Sequence, residues 1–186
     1  QQRIESMNIP IAISIEIETD EEILMRSGIG NMIFSSSVSK MEIIKICITN
    51  DSAVDSLIVD ADTLLLRKRN WLAGLTQITP VAQEYLFGHN KFLNQLLSKD
   101  KNSGLGFVTH HGLLRGEIVT ELVGKCGGIE GLAKAIDSAV KIGWSKECGF
   151  PSEWQLYGEF VVTEKPSAFS MPAAFINLGV TRNLLD

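Results

Sequence analysis

Apolar and polar positions alternate between two periods along this chain, and the alternation sets its expected elements. Ile9 to Ile17 carries isoleucine at every second position, the period of a half-buried strand. Asp20 to Met25 is acidic and then apolar, which predicts a short helix capped by Thr19 or Asp20. Gly28-Ile29-Gly30 reads as a turn and Asn31 to Phe34 as a short strand. Ser37 to Thr49 places Met41, Ile44 and Ile48 at helical spacing, and Leu57 to Val59 reads as a central buried strand. Ala82 to Leu97 is a further helical pattern, with Phe92, Leu93, Leu96 and Leu97 on one face. Lys99 to Gly106 is polar and reads as a loop, and Phe107-Val108 as a short strand running into His110-His111. Leu113 to Lys125 predicts a helix stopped by Gly127-Gly128. Ile129 to Ile142 is amphipathic, Glu153 to Val162 follows a Ser152 cap, and Phe175 to Leu178 closes the series as a strand. Strands alternating with helices predict one α/β domain over residues 1–186.

Chemistry enters at Leu57-Ile58-Val59-Asp60-Ala61-Asp62-Thr63-Leu64-Leu65-Leu66. Two carboxylates one residue apart, set between apolar runs, repel each other and resist burial. A hard divalent cation such as Mn²⁺ or Mg²⁺ relieves both problems, because it prefers oxygen ligands and brings positive charge. Asp60 and Asp62 are therefore candidate metal ligands at the end of a strand, the usual ligand position in open α/β sheets. The plainer alternative is an aspartate turn that accepts backbone hydrogen bonds.

Bulk composition narrows the classes. Hydrophobic content of 45% and charged content of 21% suit a soluble globular domain. A net charge of -5 argues against a nucleic-acid surface. Arg67-Lys68-Arg69 is the densest basic cluster; it is either a solvated loop or a face for an anionic diphosphate. Cys47, Cys126 and Cys148 are odd in number and lack CxxC spacing, which fits reduced thiols and a cytoplasmic protein, with Cys47 in the core. No run reaches membrane-spanning length and no signal-peptide pattern is visible. Gln1-Gln2-Arg3 reads as the tail of something already under way.

The segment Val59-Asp60-Ala61-Asp62-Thr63-Leu64-Leu65-Leu66 resembles the DxD segment of nucleotide-sugar-dependent glycosyltransferases of the GT-A type, the glycogenin-like enzymes among them. A longer likeness joins Asp60-Ala61-Asp62-Thr63, His110-His111-Gly112-Leu113-Leu114-Arg115 and Ser152-Glu153-Trp154-Gln155-Leu156-Tyr157-Gly158. In that order they are similar to a poorly characterised bacterial family related to glycosyltransferases, with Lys45 matching a position on the helix before the DxD strand. The likeness runs from about Lys40 to the C-terminus. It implies a GT-A-like, mostly parallel sheet flanked by helices, here lacking the first strand, so that Ile9 to Ile17 is the second. It also implies Mn²⁺ or Mg²⁺ on Asp60 and Asp62, holding the diphosphate of a nucleotide-sugar donor, a UDP-sugar being favoured. The third metal ligand does not carry over, since no late histidine has the glycogenin-like spacing.

Roles follow for other residues. Lys45 and Arg67 are candidates for added positive charge on the leaving diphosphate, against the plainer readings of a snorkelling helix lysine and a loop charge. His110 and His111 are candidate metal, phosphate or acceptor contacts, or a helix cap beside a packed ring. Glu153 is the candidate general base, its pKa raised beside Trp154, and Trp154 and Tyr157 would stack on a sugar of an unknown glycan or small-molecule acceptor. The competing reading makes Glu153 a first-turn carboxylate and the two aromatic residues core. Two other functions stay open. One is a catalytically inactive or truncated glycosyltransferase-like binding domain. The other is a phosphatase of the haloacid dehalogenase type, disfavoured because Leu64 stands where Thr or Val is expected and no later Asp-Asp pair occurs. Neither a GxSxG elbow nor a GxxxxGK[ST] loop is present.

Overall fold

A computed structural model describes residues 18–52, 54–59, 70–81, 92–93, 96–97, 103–109, 111–141 and 152–170. The strands expected over Ile9 to Ile17 and Phe175 to Leu178, and most of the helix expected over Ala82 to Leu97, lie outside these residues. So do Asp60, Asp62, Arg67, His110 and Cys148.

Five helices and two small sheets make a mixed α/β arrangement among the described residues. Helix α1 (Asp20–Arg26) starts at a reciprocal capping box. The Glu22 amide donates to the Thr19 hydroxyl at 3.3 Å, and the Thr19 amide donates to Glu22 Oε2 at 2.8 Å. Helix α2 (Ser37–Ser52) packs against α1 and three later helices, α3 (Gly116–Lys125), α4 (Gly128–Lys141) and α5 (Glu153–Glu164). That central place explains why α2 lacks a clean polar face; Ile43, Ile46 and Cys47 are fully enclosed. Leu122, Leu132, Ile136, Leu156 and Phe160 complete the core from the other helices.

Strand β1 (Ser56–Val59) pairs antiparallel with β4 (His111–Leu114), with Val59 opposite His111. A second sheet joins β2 (Leu72–Ala73), β3 (Thr76–Ile78) and β5 (Phe169–Ser170); β2 and β3 are antiparallel, β3 and β5 parallel. Two of the three described pairings are thus antiparallel, so the mostly parallel sheet expected from the sequence is not seen among the described residues. β1 is also not a buried central strand. Its only described partner is β4, and Leu57 and Val59 are exposed on the outer face.

Three local expectations change for identifiable reasons. Asn31 to Phe34 forms a turn and an irregular segment rather than a strand, with Met32 and Phe34 packed on the helical core instead of hydrogen-bonded to a neighbouring strand. Leu113 and Leu114 belong to β4, and α3 starts only at Gly116, whose amide is accepted by Asp55 Oδ1 at 3.1 Å. His111 consequently opens a strand instead of following one, and Phe107-Val108 is irregular. The β2–β3 hairpin had no strong local signal beyond Gly74, which takes the left-handed backbone (φ 64°) of the turn.

Candidate functional site

Two of the segments that carried the resemblance, the one around His111 and the one around Trp154, meet in space, and the strand that leads toward the third pairs with the first of them. Val59, the residue bonded to Asp60, faces His111 across the β1–β4 ribbon. His111, Gly112 and Leu113 then form one wall of a narrow cleft, and Trp154, Tyr157 and Gly158 of α5 form another. Gln77, Thr79 and Pro80 from the end of β3, with Phe107 and Thr109, close it. The β3, β4 and α5 walls come from parts of the chain more than 30 residues apart.

Two glycines make the approach possible. A side-chain carbon on Gly112 would stand 3.0 Å from Trp154 Cζ3. One on Gly158 would fall within the Phe107 ring. The α5 helix therefore lies against both the β4 strand and the segment around Phe107 with no side chain between.

Helix α5 is buried along most of its length, including its polar residues, because each fastens another segment. Gln155 Oε1 accepts from the Phe107 amide at 2.8 Å, and Gln155 Nε2 donates to the Leu105 carbonyl at 2.8 Å. Glu159 accepts from the Ser103 amide and hydroxyl, both at 2.6 Å. The Tyr157 hydroxyl donates to Gln77 Oε1 at 2.7 Å and accepts from the Arg115 amide at 2.9 Å. Gln77 Nε2 in turn donates to the Leu113 carbonyl at 2.7 Å. Burial pushes the Tyr157 phenol well above its ordinary range, so it stays a neutral donor. These buried polar side chains were not recognised from the sequence. Their signal was Gln155 and Glu159, four residues apart within an otherwise apolar helix.

Lys45, Glu153 and Trp154 form a second cluster at the start of α5. Lys45 Nζ lies 2.5 Å from Glu153 Oε1 and 5.6 Å from the centre of the Trp154 ring. Ser152 caps the helix by accepting from the Trp154 amide at 3.2 Å. Glu153 is 1% exposed, and its other oxygen accepts from the Ser152 hydroxyl at 3.3 Å. Its carboxylate is an internal ion-pair partner in the first helical turn, not a base open to an acceptor hydroxyl. Lys45 supplies the cation of that pair. Glu42, one turn before Lys45 on α2, accepts from the Glu153 amide at 3.1 Å. Burial, followed by the hydrogen bond and charge of Glu153, pushes the Glu42 carboxyl up to about 9. The raised carboxyl of this region is therefore Glu42, which the motif reading passed over.

His111 is 6% exposed and packs edge-on to Trp71, with ring centres 5.7 Å apart. Trp154 and Tyr157 are buried in the core, and both border the cleft. Among the described residues no three His, Cys, Asp or Glu side chains are grouped to hold a metal ion. Asp60 and Asp62 lie outside the described residues. Among the described residues no helix is long and apolar enough to cross a membrane.

Comparison with family models, with curated proteins and with solved structures finds no match to this chain.

Proposed function

We propose that the chain is a metal-dependent glycosyltransferase of GT-A type that moves a sugar from a nucleotide-sugar donor, a UDP-sugar being favoured, to a hydroxylated acceptor. The observation behind this reading is the Val59–His111 pairing beside a cleft walled by Trp154 and Tyr157. Two of the quoted motifs, far apart in sequence, meet there, and β1, which pairs with one of them, ends at Val59. Asp60 and Asp62 would hold Mn²⁺ or Mg²⁺, which supplies charge stabilisation to the departing diphosphate. His111, opposite Val59 and on the cleft wall, would be the candidate contact for donor or acceptor in this reading. Glu153 is not assigned the base role in this reading, because it is buried and paired with Lys45.

The same buried ion pair favours a second reading, a glycosyltransferase-like domain that binds without turning over. Calorimetric titration of UDP with and without Mn²⁺ tests the donor site common to both. Binding that requires the metal and is lost in Asp62→Asn supports the metal clamp. UDP binding that is indifferent to Mn²⁺, or unchanged in Asp62→Asn, removes it. Release of UDP from a UDP-sugar in the presence of saccharide acceptors then separates the enzyme from the binding domain.

A further inference from the structure

The start of α5 docks on α2 through three ionisable side chains. Glu42 Oε2 accepts from the Glu153 amide at 3.1 Å. Lys45 Nζ lies 2.5 Å from Glu153 Oε1, and the same ammonium stands 5.6 Å from the centre of the Trp154 ring. The side chains of Glu42 and Glu153 also hydrogen-bond to each other. Two ionised carboxylates offer only acceptors, so that bond requires a proton on one of them. Lys45 balances one negative charge. With the proton the three groups are neutral together; without it, one negative charge is left over in a buried junction.

The charges that act most strongly on Glu42 are Glu153 from α5 and Lys45 from α2 itself. Helices α1, α3 and α4 and strand β1 pack on α2 as well. Asp20 and Glu21 of α1, Glu117 and Glu121 of α3, and Glu130 and Asp137 of α4 are paired with other cations. Strand β1 carries no titratable side chain. The junction also bears on the cleft. Trp154 follows Glu153 in the first turn of α5, and its ring lies so close to β4 that a side-chain carbon on Gly112 would stand 3.0 Å from Cζ3. A shift of that turn therefore moves a cleft wall. Buried ionic groups rarely stabilise a junction more than apolar packing does; what this set adds is a dependence on one proton.

We propose that Glu42, Lys45 and Glu153 form a proton-operated latch: while one proton joins the two carboxyls, the first turn of α5 is docked on α2, and loss of that proton to solvent lets the turn, with Trp154, lift from β4 while the rest of the fold stands. The latch concerns the cleft wall whatever the cleft holds, so it does not rest on the glycosyltransferase reading. The docked form keeps the proton, because burial and Glu153 push the Glu42 carboxyl up to about 9 from an ordinary 4.5. The lifted form releases it. Between those two values each unit of pH raises the ratio of lifted to docked turns about tenfold, and above the upper one the ratio levels off.

Amide hydrogen exchange of the full chain, followed by NMR between about pH 6 and about pH 9 and corrected for intrinsic rates, tests the latch. The reporters are the amides of Glu153, Trp154 and Leu156, which bond to Glu42, Ser152 Oγ and the Ser152 carbonyl. The core of α4, Leu132 to Ile136, reports global unfolding. The Ser27 amide, bonded to the Ile23 carbonyl, reports a local opening away from the carboxyl pair. The expected result is that the three reporters open more often than the α4 core and that their opening rises toward about tenfold per pH unit, with no such rise at Ser27. Glu42→Gln keeps the hydrogen bonds of the protonated acid and cannot ionise, so it should hold the three reporters closed at every pH. Three outcomes each overturn the latch. The reporters open only together with the α4 core, which makes the pair an element of global stability alone. Their pH slope is no steeper than that of Ser27. The slope persists in Glu42→Gln. The first two are read in the unaltered chain, so the result stands even where the variant fails to fold.

Discussion

Lys45 Nζ and Glu153 Oε1 stand 2.5 Å apart across the junction of α2 and α5, and Glu153 is 1% exposed. Residues 108 apart in sequence thus form the ion pair that docks the start of α5 on the central helix. The pair occupies the two side chains that motif reasoning assigned to a phosphate contact and a base.

Lys45→Met keeps the length of the side chain and removes the charge. It leaves the buried Glu153 carboxylate with Ser152 and Glu42 as hydrogen-bond partners but without the Lys45 charge. Removing one member of a buried pair costs about 3–5 kcal/mol. Chemical denaturation should show a loss of that order, with Lys45→Met/Glu153→Met recovering much of it. A loss below about 1 kcal/mol, the surface-pair range, would mean the pair is effectively solvated.

Glu42 gives the fold a pH dependence. Its carboxyl is pushed up to about 9 in the folded chain from an ordinary 4.5, by burial first and then by Glu153. Between those two values the folded state binds more protons at this position than the unfolded state, so this group makes stability fall as pH rises. Lys45 opposes the shift but does not cancel it. Unfolding free energy should decline from about pH 5 toward pH 9. Glu42→Gln, an isostere of the protonated acid, should flatten that decline and raise stability at neutral pH. An unchanged slope would show that Glu42 ionises normally.

Gly158→Ala tests the contact of α5 with Phe107. Alanine favours a helix over glycine by about 1 kcal/mol, so an open site would be stabilised. Here the added carbon meets the Phe107 ring, and overpacking costs about 1–3 kcal/mol. The variant should be less stable overall, and near-ultraviolet circular dichroism should change as Phe107 moves. A stabilised variant would contradict the close approach.

Asp137 is a buried carboxylate on α4 that accepts from the Ser35 amide at 2.8 Å and the Ser35 hydroxyl at 2.6 Å, and pairs with Lys141 at 2.8 Å. Burial alone would raise its pKa, but Lys141, Ser35 and Ser39 hold it down to about 2, below its ordinary 3.8. Its contribution is complete above about pH 4 and is lost as pH falls through 2. Asp137→Ala should cost about 1.5–3 kcal/mol at neutral pH, the range for charged hydrogen bonds. Amide exchange at Ser35 should accelerate in the variant. Unaltered exchange there would show that the Ser35 turn does not depend on the carboxylate.

Helical periodicity is local, and much of the helical layout was legible for that reason. The Thr19 and Ser152 caps, α2, the stop near Gly127 and the amphipathic α4 all rest on residues within a turn or two of each other. Cys47 as core followed from the same spacing. Short strands were less legible. Their identity depends on a partner far along the chain, and Leu113-Leu114 suits a helix or a strand until β1 pairs with it.

Candidate chemistry divided along the same line. Sequence alone determined which residues were available: the paired aspartates, the histidines and the aromatic residues of the Ser152–Gly158 segment. Tertiary structure decided what the described ones are free to do. It brought Val59 to His111 and set Trp154 and Tyr157 on one cleft, while binding Lys45 to Glu153. The physical reason is that availability is a property of a side chain, whereas commitment belongs to the pair. A buried carboxylate takes the nearest cation and hydroxyl that packing delivers, and only the packing of α2 against α5 brings Lys45 within reach of Glu153.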